Sequence, residues 1–257
     1  MGVWLSAATG SGQDVTVQGN VMGAQAGCQV VLSGPVSANL STDGSGNFSY
    51  TGAATSLGTV TAMVSDNNGD CCQAETSIQD SAPNIESLTI VPTGVGKQVD
   101  ISGTVEAGCM NDLTVKFSGT VGLAANSATT DSSGCFNLQT TAAALGSVSA
   151  VATDVWGVSS FTVNAMLMVM TPQIQSLNAT EVGNGEWQFS GTVTGPNVSD
   201  DSVQLSGLGS ATATPNSAGY FSVTVSLNSN NPMGSEFAVA TDAWNQSSNQ
   251  AFYMFMF

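Results

Sequence analysis

The stretch TTDSSGCFN (129–137) decides how this chain is read, because it is written three times. STDGSGNFS stands at 41–49 and TPNSAGYFS at 214–222, offset from it by 88 and 85 residues. The shared pattern is S/T-x-D/N-x-x-G-x-F. A side-chain oxygen at the third position can accept backbone N–H groups within a tight turn. The glycine supplies the left-handed conformation that closes a type I turn with a bulge. Phe48, Phe136 and Phe221 then lead the chain back into a core. The acid spacing also suits a calcium loop, but the turn reading is preferred: the third copy keeps the turn while carrying Asn216 in place of Asp43 and Asp131.

Other landmarks recur around this phrase in fixed order. VQGNV (17–21), ISGTV (101–105) and FSGTV (189–193) align, as do VLSG (31–34), KFSG (116–119) and QLSG (204–207). LGTVTAMVSD (57–66), LGSVSAVATD (145–154) and MGSEFAVATD (233–242) complete the set. Internal repetition on this scale is the mark of tandem units. We place them at 1–80, 81–170 and 171–257, with Pro83 and Pro172 at the joins. Within a unit the apolar period is two, as in Val99, Ile101, Gly103 and Val105, and turn signals recur every few residues. Such a pattern predicts all-β architecture: three tandem antiparallel β-sandwiches of about seven strands each. For the second unit the expected strands are 85–92, 98–105, 113–119, 124–130, 135–141, 147–154 and 159–169.

Composition removes several functions. The chain has 257 residues, 18 acids, two lysines (Lys97 and Lys116), no arginine and no histidine, for a net charge of −16. Phosphate neutralisation needs a basic footprint, so nucleic-acid binding is not expected. Docking on anionic lipid is disfavoured on the same ground. Without histidine there is no Ser-His-Asp triad and no histidine metal ligand, and no enzyme is predicted. No apolar run is long enough for a membrane-spanning helix. The opening residues lack a basic n-region, which predicts an export signal outside this chain or an unusual route.

The series G-T-V … L-x-V-x-F-S-G … T-T-D-x-x-G-x-F … G-x-V-x-A-x-A-T-D-x-W-G resembles the bacterial immunoglobulin-like repeats of very large cell-surface and adhesin-type proteins. The resemblance runs through all three units. It implies immunoglobulin-like sandwiches and an extracellular, cell-surface location. The first unit departs most, with DNNGD (66–70) where the others have DVWG (154–157) and DAWN (242–245).

In an up-and-down strand count the B–C, D–E and F–G loops share one pole of each sandwich, the pole that faces the preceding unit. All five cysteines lie near it. The expected disulfides are Cys109–Cys135 and Cys28 with Cys71 or Cys72, Cys72 being the choice carried forward; one cysteine is left over. Much of the acid also gathers there: Glu106, Asp112, Asp200 and Asp201 among others. Asp66, Asn68, Asp70, Asp131, Asp154 and Asp242 are candidate ligands for calcium, which takes six to eight oxygens; the plainer alternative is solvated turn residues. Trp156 and Trp244 recur at one F–G position, either as plugs at the junctions or as a sugar-stacking platform.

The last strands end in AMLMVM (165–170) and FYMFMF (252–257), with no wet face. The extra apolar face would pack on a neighbouring unit or on another copy. Phe252, Tyr253, Met254, Phe255, Met256 and Phe257 are therefore candidate self-assembly residues. The leading expectation is an extracellular structural protein, a subunit of a bacterial surface filament that polymerises head to tail with other copies of itself. The alternative is an adhesin stalk or a glycan- or receptor-binding module. No cofactor is required, calcium aside.

Overall fold

The computed structural model describes residues 2–23, 26–66, 68–108, 110–227 and 232–256. Its regular elements are strands and one short 3-10 turn, Val198–Asp200. The first sandwich holds β1 (Gly2–Thr9), β2 (Asp14–Met22), β3 (Gln29–Ser33), β4 (Ala38–Ser41), β5 (Asn47–Ala53), β6 (Gly58–Ser65) and β7 (Cys71–Ile78). The second holds β8 (Asn84–Pro92), β9 (Gln98–Glu106), β10 (Thr114–Gly119), β11 (Ser127–Thr129), β12 (Cys135–Thr141), β13 (Gly146–Thr153) and β14 (Val163–Leu167). The third holds β15 (Gln173–Gly183), β16 (Glu186–Thr194), β17 (Ser202–Gly207), β18 (Ser210–Ala213), β19 (Tyr220–Ser226), β20 (Gly234–Thr241) and β21 (Ala251–Phe255).

Topology repeats with the sequence. One sheet of each sandwich is three-stranded, in the orders β1-β2-β5, β8-β9-β12 and β15-β16-β19. The facing sheet is four-stranded: β4-β3-β6-β7, β11-β10-β13-β14 and β18-β17-β20-β21. All pairings of named strands are antiparallel. This is the seven-strand immunoglobulin-like arrangement. The period-two pattern explains it locally: Val15, Val17 and Val21 on β2 and Val60, Ala62 and Val64 on β6 alternate into one core. Two strands differ from expectation. β11 is three residues long, because the chain first bridges Leu123 to Ala142, and β14 begins at Val163 after a Thr153–Ser159 bridge.

The repeated nine residues form the D–E turn. Asp43 Oδ1 accepts the N–H groups of Ser45 and Asn47, both at 2.8 Å. Asp131 does the same for Ser133 and Cys135 at 2.8 and 3.0 Å, and Asn216 for Ala218 and Tyr220 at 3.0 Å each. Only a carbonyl-type Oδ1 is needed, so Asn replaces Asp without loss. The phenylalanine that follows lies over a glycine on the neighbouring strand. A Cβ on Gly103 would sit 2.5 Å from the Phe136 ring and 2.1 Å from the Ser87 carbonyl oxygen. Gly19 and Gly191 meet Phe48 and Phe221 in the same way. The glycine of each G-T-V or G-N-V phrase is thus the floor on which the turn's phenylalanine rests.

Candidate functional site: the joints between sandwiches

The F–G turns face the preceding sandwich. Each is built on an aspartate: Asp66 Oδ1 accepts the N–H groups of Asn68 and Asp70, both at 2.9 Å. Asp154 holds Trp156 and Val158 at 2.9 and 2.8 Å, and Asp242 holds Trp244 and Gln246, both at 2.8 Å. The turn presents its third residue outward. In the second sandwich that residue is Trp156, which packs against the core of the first. In the third it is Trp244, which packs against the core of the second. The equivalent residue of the first sandwich is Asn68.

Polar contacts accompany each plug. At the first joint Gln13 Nε2 donates to the Val155 carbonyl at 3.2 Å. At the second, Gln246 Nε2 donates to the Val169 carbonyl at 3.3 Å, and the Gly96 N–H donates to Asp200 Oδ2 at 3.0 Å. Lys97 lies at the rim. Its Nζ donates to the Ala143 carbonyl at 3.0 Å and stands 5.9 Å from the centre of the Trp244 ring, a cation–π distance. Asn249 fixes the linker, accepting from the Ile174 N–H at 2.8 Å and donating to its carbonyl at 3.1 Å.

The second joint encloses a small cavity lined by Pro92, Pro196, Asp200, Asp201, Asp242 and Trp244, among others. Asp201 is its unusual member. It precedes β17 as Leu113 precedes β10 and Cys28 precedes β3, and all three side chains are buried, at 2, 1 and 5% exposure. Two sandwiches fill the slot with an apolar group and the third with a carboxyl whose Oδ2 has no hydrogen-bond partner. Burial, then the charges of Asp242 and Asp200, push its pKa up to about 6.

A second exchange marks the far pole of the third sandwich. Val36 and Val121 are buried beside Val60 and Val148 in the first two units. Their counterparts in the third are Gly209 and Glu236. Glu236 is fully buried; its Oε2 accepts the Gly209 N–H at 3.0 Å and its Oε1 has no partner. A Cβ on Gly209 would lie 2.4 Å from Val225, so the glycine and the carboxyl fit as a pair.

The predicted calcium ligands do not come together. Asp66, Asn68 and Asp70 belong to one turn, while Asp131, Asp154 and Asp242 anchor three others. The Oδ1 atoms of Asp66, Asp131, Asp154 and Asp242 are committed to backbone N–H groups, the tight spacing that suggested ligands being the spacing of the turn. Among the described residues no three acidic or thiol side chains form a metal-binding group. Around the second joint, Asp242 Oδ2 already accepts from Gln246 and Asp200 Oδ2 from Gly96, leaving Asp201 Oδ2 as the orphan. That set falls short of a six-oxygen calcium cage.

The expected Cys28–Cys72 bridge is not formed. Cys28 is buried in the first core, and Cys72 packs against it from β7, its thiol pKa raised by burial. Strand β6 runs between β3 and β7, so a bridge between them would have to reach past it. Cys71 and Cys72 form no disulfide, and the Cys109 half of the expected Cys109–Cys135 pair lies outside the described residues.

The final strands each bury one face and leave the other open. On β21, Tyr253 and Phe255 turn inward to the core, with Phe255 edge-on to the Trp187 indole at 4.8 Å and to the Tyr253 ring at 5.1 Å. Phe252, Met254 and Met256 point outward and are at least half exposed, and Phe257 lies outside the described residues. Met166, Met168 and Met170 are likewise exposed beside the second sandwich rather than packed on a neighbouring unit. Each strand thus keeps an ordinary inner face, and methionine and phenylalanine occupy its outer one.

No family model matches the chain, and no characterised protein sequence matches it. Among solved structures it is similar to a 1.5-MDa bacterial ice-binding adhesin studied for its retention at the host cell surface, at 16% identity over 98% of this chain and 96% of that one, TM-score 0.30. It is also similar to invasin, a bacterial integrin-binding protein, at 14% identity over 100% of this chain and 60% of that one, TM-score 0.35. A Ca2+-stabilised adhesin with which an Antarctic bacterium binds ice is 19% identical over 96% of this chain and 72% of that one, TM-score 0.28. The fold assignment stands on the strand order and registers of this chain.

Proposed function

We propose that this chain is a structural spacer of a bacterial surface protein, a stalk segment of adhesin type displayed outside the cell. The observation that carries this reading is the repeated joint: Trp156 and Trp244, one sandwich apart, insert into the preceding sandwich from the same turn. Two plugs of one design hold three units in series and resist bending where flexible linkers would allow it. Few charges and almost no lysine leave little for trypsin-like proteases to cut, which suits an exposed segment. Small-angle scattering tests the reading. The wild-type chain should give a narrow distribution of lengths spanning three domains, and a Trp156→Ala/Trp244→Ala chain a broader one. Equal distributions would remove the joints from the argument.

A second reading, the filament subunit, draws on Phe252, Met254 and Met256 on the edge strand β21 and on Met166, Met168 and Met170 near β14. An exposed apolar edge suits contact with another copy. Negative-stain microscopy in calcium and then in chelator tests it. Long filaments in calcium would favour polymerisation, and their loss in chelator would tie metal to assembly. Isolated rods under both conditions would leave the stalk.

A further inference from the structure

The outer face of the β1-β2-β5 sheet carries a feature that neither of the other sandwiches shares. Trp4, Asn20 and Asn47 stand in one row across it, since Trp4 pairs with Asn20 and Asn20 with Asn47. Trp4 is 57% exposed. At the same register the second sandwich has Ser87, Thr104 and Cys135, and the third has Ser176, Thr192 and Tyr220. There the first two residues of the row close on each other by hydroxyl hydrogen bonds, at 2.8 Å for Ser87–Thr104 and 3.2 Å for Ser176–Thr192. In the first sandwich a bare indole replaces that closed pair.

The polar partners of the indole are held in place. Asn20 Nδ2 donates to the Ser45 carbonyl at 3.0 Å and to Asn47 Oδ1 at 2.8 Å. Asn47 Nδ2 donates to Asp43 Oδ2 at 3.2 Å. Hydrogen bonds from the Asn47 and Ser45 backbone keep the Asp43 carboxyl below its usual pKa, so it stays ionised. Asn20 Oδ1 and the second proton of Asn47 Nδ2 remain available, and Gln18 stands in the next row of the same groove. The strands that bear Trp4 and Asn47 are two spacings apart, about 10 Å.

We infer that this groove binds a neutral pyranose of a glycan. The flat indole fits the C–H face of a sugar ring, an apolar body met by an amphipathic aromatic. The fixed amides and carboxylate fit its hydroxyls, which both donate and accept. Charge selects among sugars: both lysines lie in the second sandwich and the chain has no arginine, so no basic side chain of the first neutralises a sialyl, sulfate or phosphate group, and Asp43 repels one. Preorganised side chains lower the ordering cost of binding. The inference rests on the surface reading only for where such a glycan is met; scattering from the joint variants leaves it untouched.

The test uses the labelled full chain on an array of neutral and anionic oligosaccharides, including cellotetraose, chitotetraose, maltotetraose, N-acetyllactosamine and 3′-sialyllactose. The best neutral binder is then titrated by calorimetry against wild type, Trp4→Ala, Trp4→Phe and Asn20→Thr. Asn20→Thr installs the residue of the second and third sandwiches, so it keeps a fold-compatible side chain. The expected result is binding to a neutral sugar that weakens more than tenfold in Trp4→Ala and Asn20→Thr and recovers in part in Trp4→Phe, with unchanged thermal melts. Binding to no neutral sugar, binding only to anionic ones, or binding that survives Trp4→Ala overturns the assignment. So does a Trp4-dependent self-association in sedimentation with no sugar effect.

Discussion

Replacing Asp201 by leucine should stabilise the third sandwich. The slot is one that Leu113 fills at 1% exposure in the second sandwich, and Asp201 occupies it at 2% with Oδ2 unpartnered. A carboxyl whose pKa rises from 3.8 to about 6 on folding prefers its protonated form in the folded state. Stability from this group is therefore fully present below pH 3.8, falls as pH rises through about 6, and is flat above. The full shift corresponds to about 3 kcal/mol, and solvent in the adjoining cavity screens part of it, leaving a cost of about 1–2 kcal/mol at neutral pH. Burying leucine adds about 1.5–3 kcal/mol of its own. The expected gain at pH 7 is about 2–4 kcal/mol after allowance for imperfect packing. Because three domains need not unfold together, the assay must resolve them. Hydrogen exchange in increasing urea, read on peptides from β16, β19 and β20, does so at pH 4 and pH 7. Wild type should protect these peptides better at pH 4, and Asp201→Leu should narrow that difference. Lower protection in the leucine chain, or an unchanged pH dependence, would refute the argument that this carboxyl is buried at a cost.

Trp244→Ala should loosen the second joint and speed tryptic cleavage at Lys97 several-fold while cleavage at Lys116 is unchanged, as followed by mass spectrometry. Gly103→Ala forces a Cβ to 2.1 Å from the Ser87 carbonyl and should destabilise the second sandwich by about 2–4 kcal/mol, lowering its urea midpoint. Non-reducing peptide mapping of chain recovered from an oxidising compartment should show Cys109 linked to Cys135, with the Cys71 peptide released unlinked.

The fold was legible because three copies of one pattern averaged out local noise. Period-two alternation, the turn phrase and the order of landmarks all pointed to the same sandwich. The site was legible only in part. A repeated tryptophan suggested a plug, and Trp156 and Trp244 pack as plugs. The turn acids carry two readings for a physical reason: an aspartate that accepts N–H groups two and four residues ahead has the spacing of a calcium ligand. The outer faces of the final strands, apolar in the sequence, stand exposed at Met166 and Met254, and contact with another copy remains an expectation. Asp201 was grouped with loop acids, although aligning it with Leu113 and Cys28 would have shown a core position. Trp4 has no counterpart in the repeated landmarks; only its register with Asn20 and Asn47 reveals the row.

The Gly209–Glu236 pair has a consequence for how such a chain folds. Neighbouring repeats of one topology can exchange strands during synthesis, a failure characteristic of tandem domains. If β13 took the place of β20 in the third sandwich, Val148 would stand beside Gly209 and leave a void where the carboxyl had been. The reciprocal swap would bury Glu236 beside Val121, whose side chain fills the space that Gly209 leaves open to the carboxyl. Each exchange leaves either a cavity or a crowded, unpartnered buried carboxyl in the wrong host, penalties of about 2–5 kcal/mol apiece. A carboxyl that weakens its own core in isolation thereby acts as a proofreading mark, readable by the chain while two near-identical partners are still available.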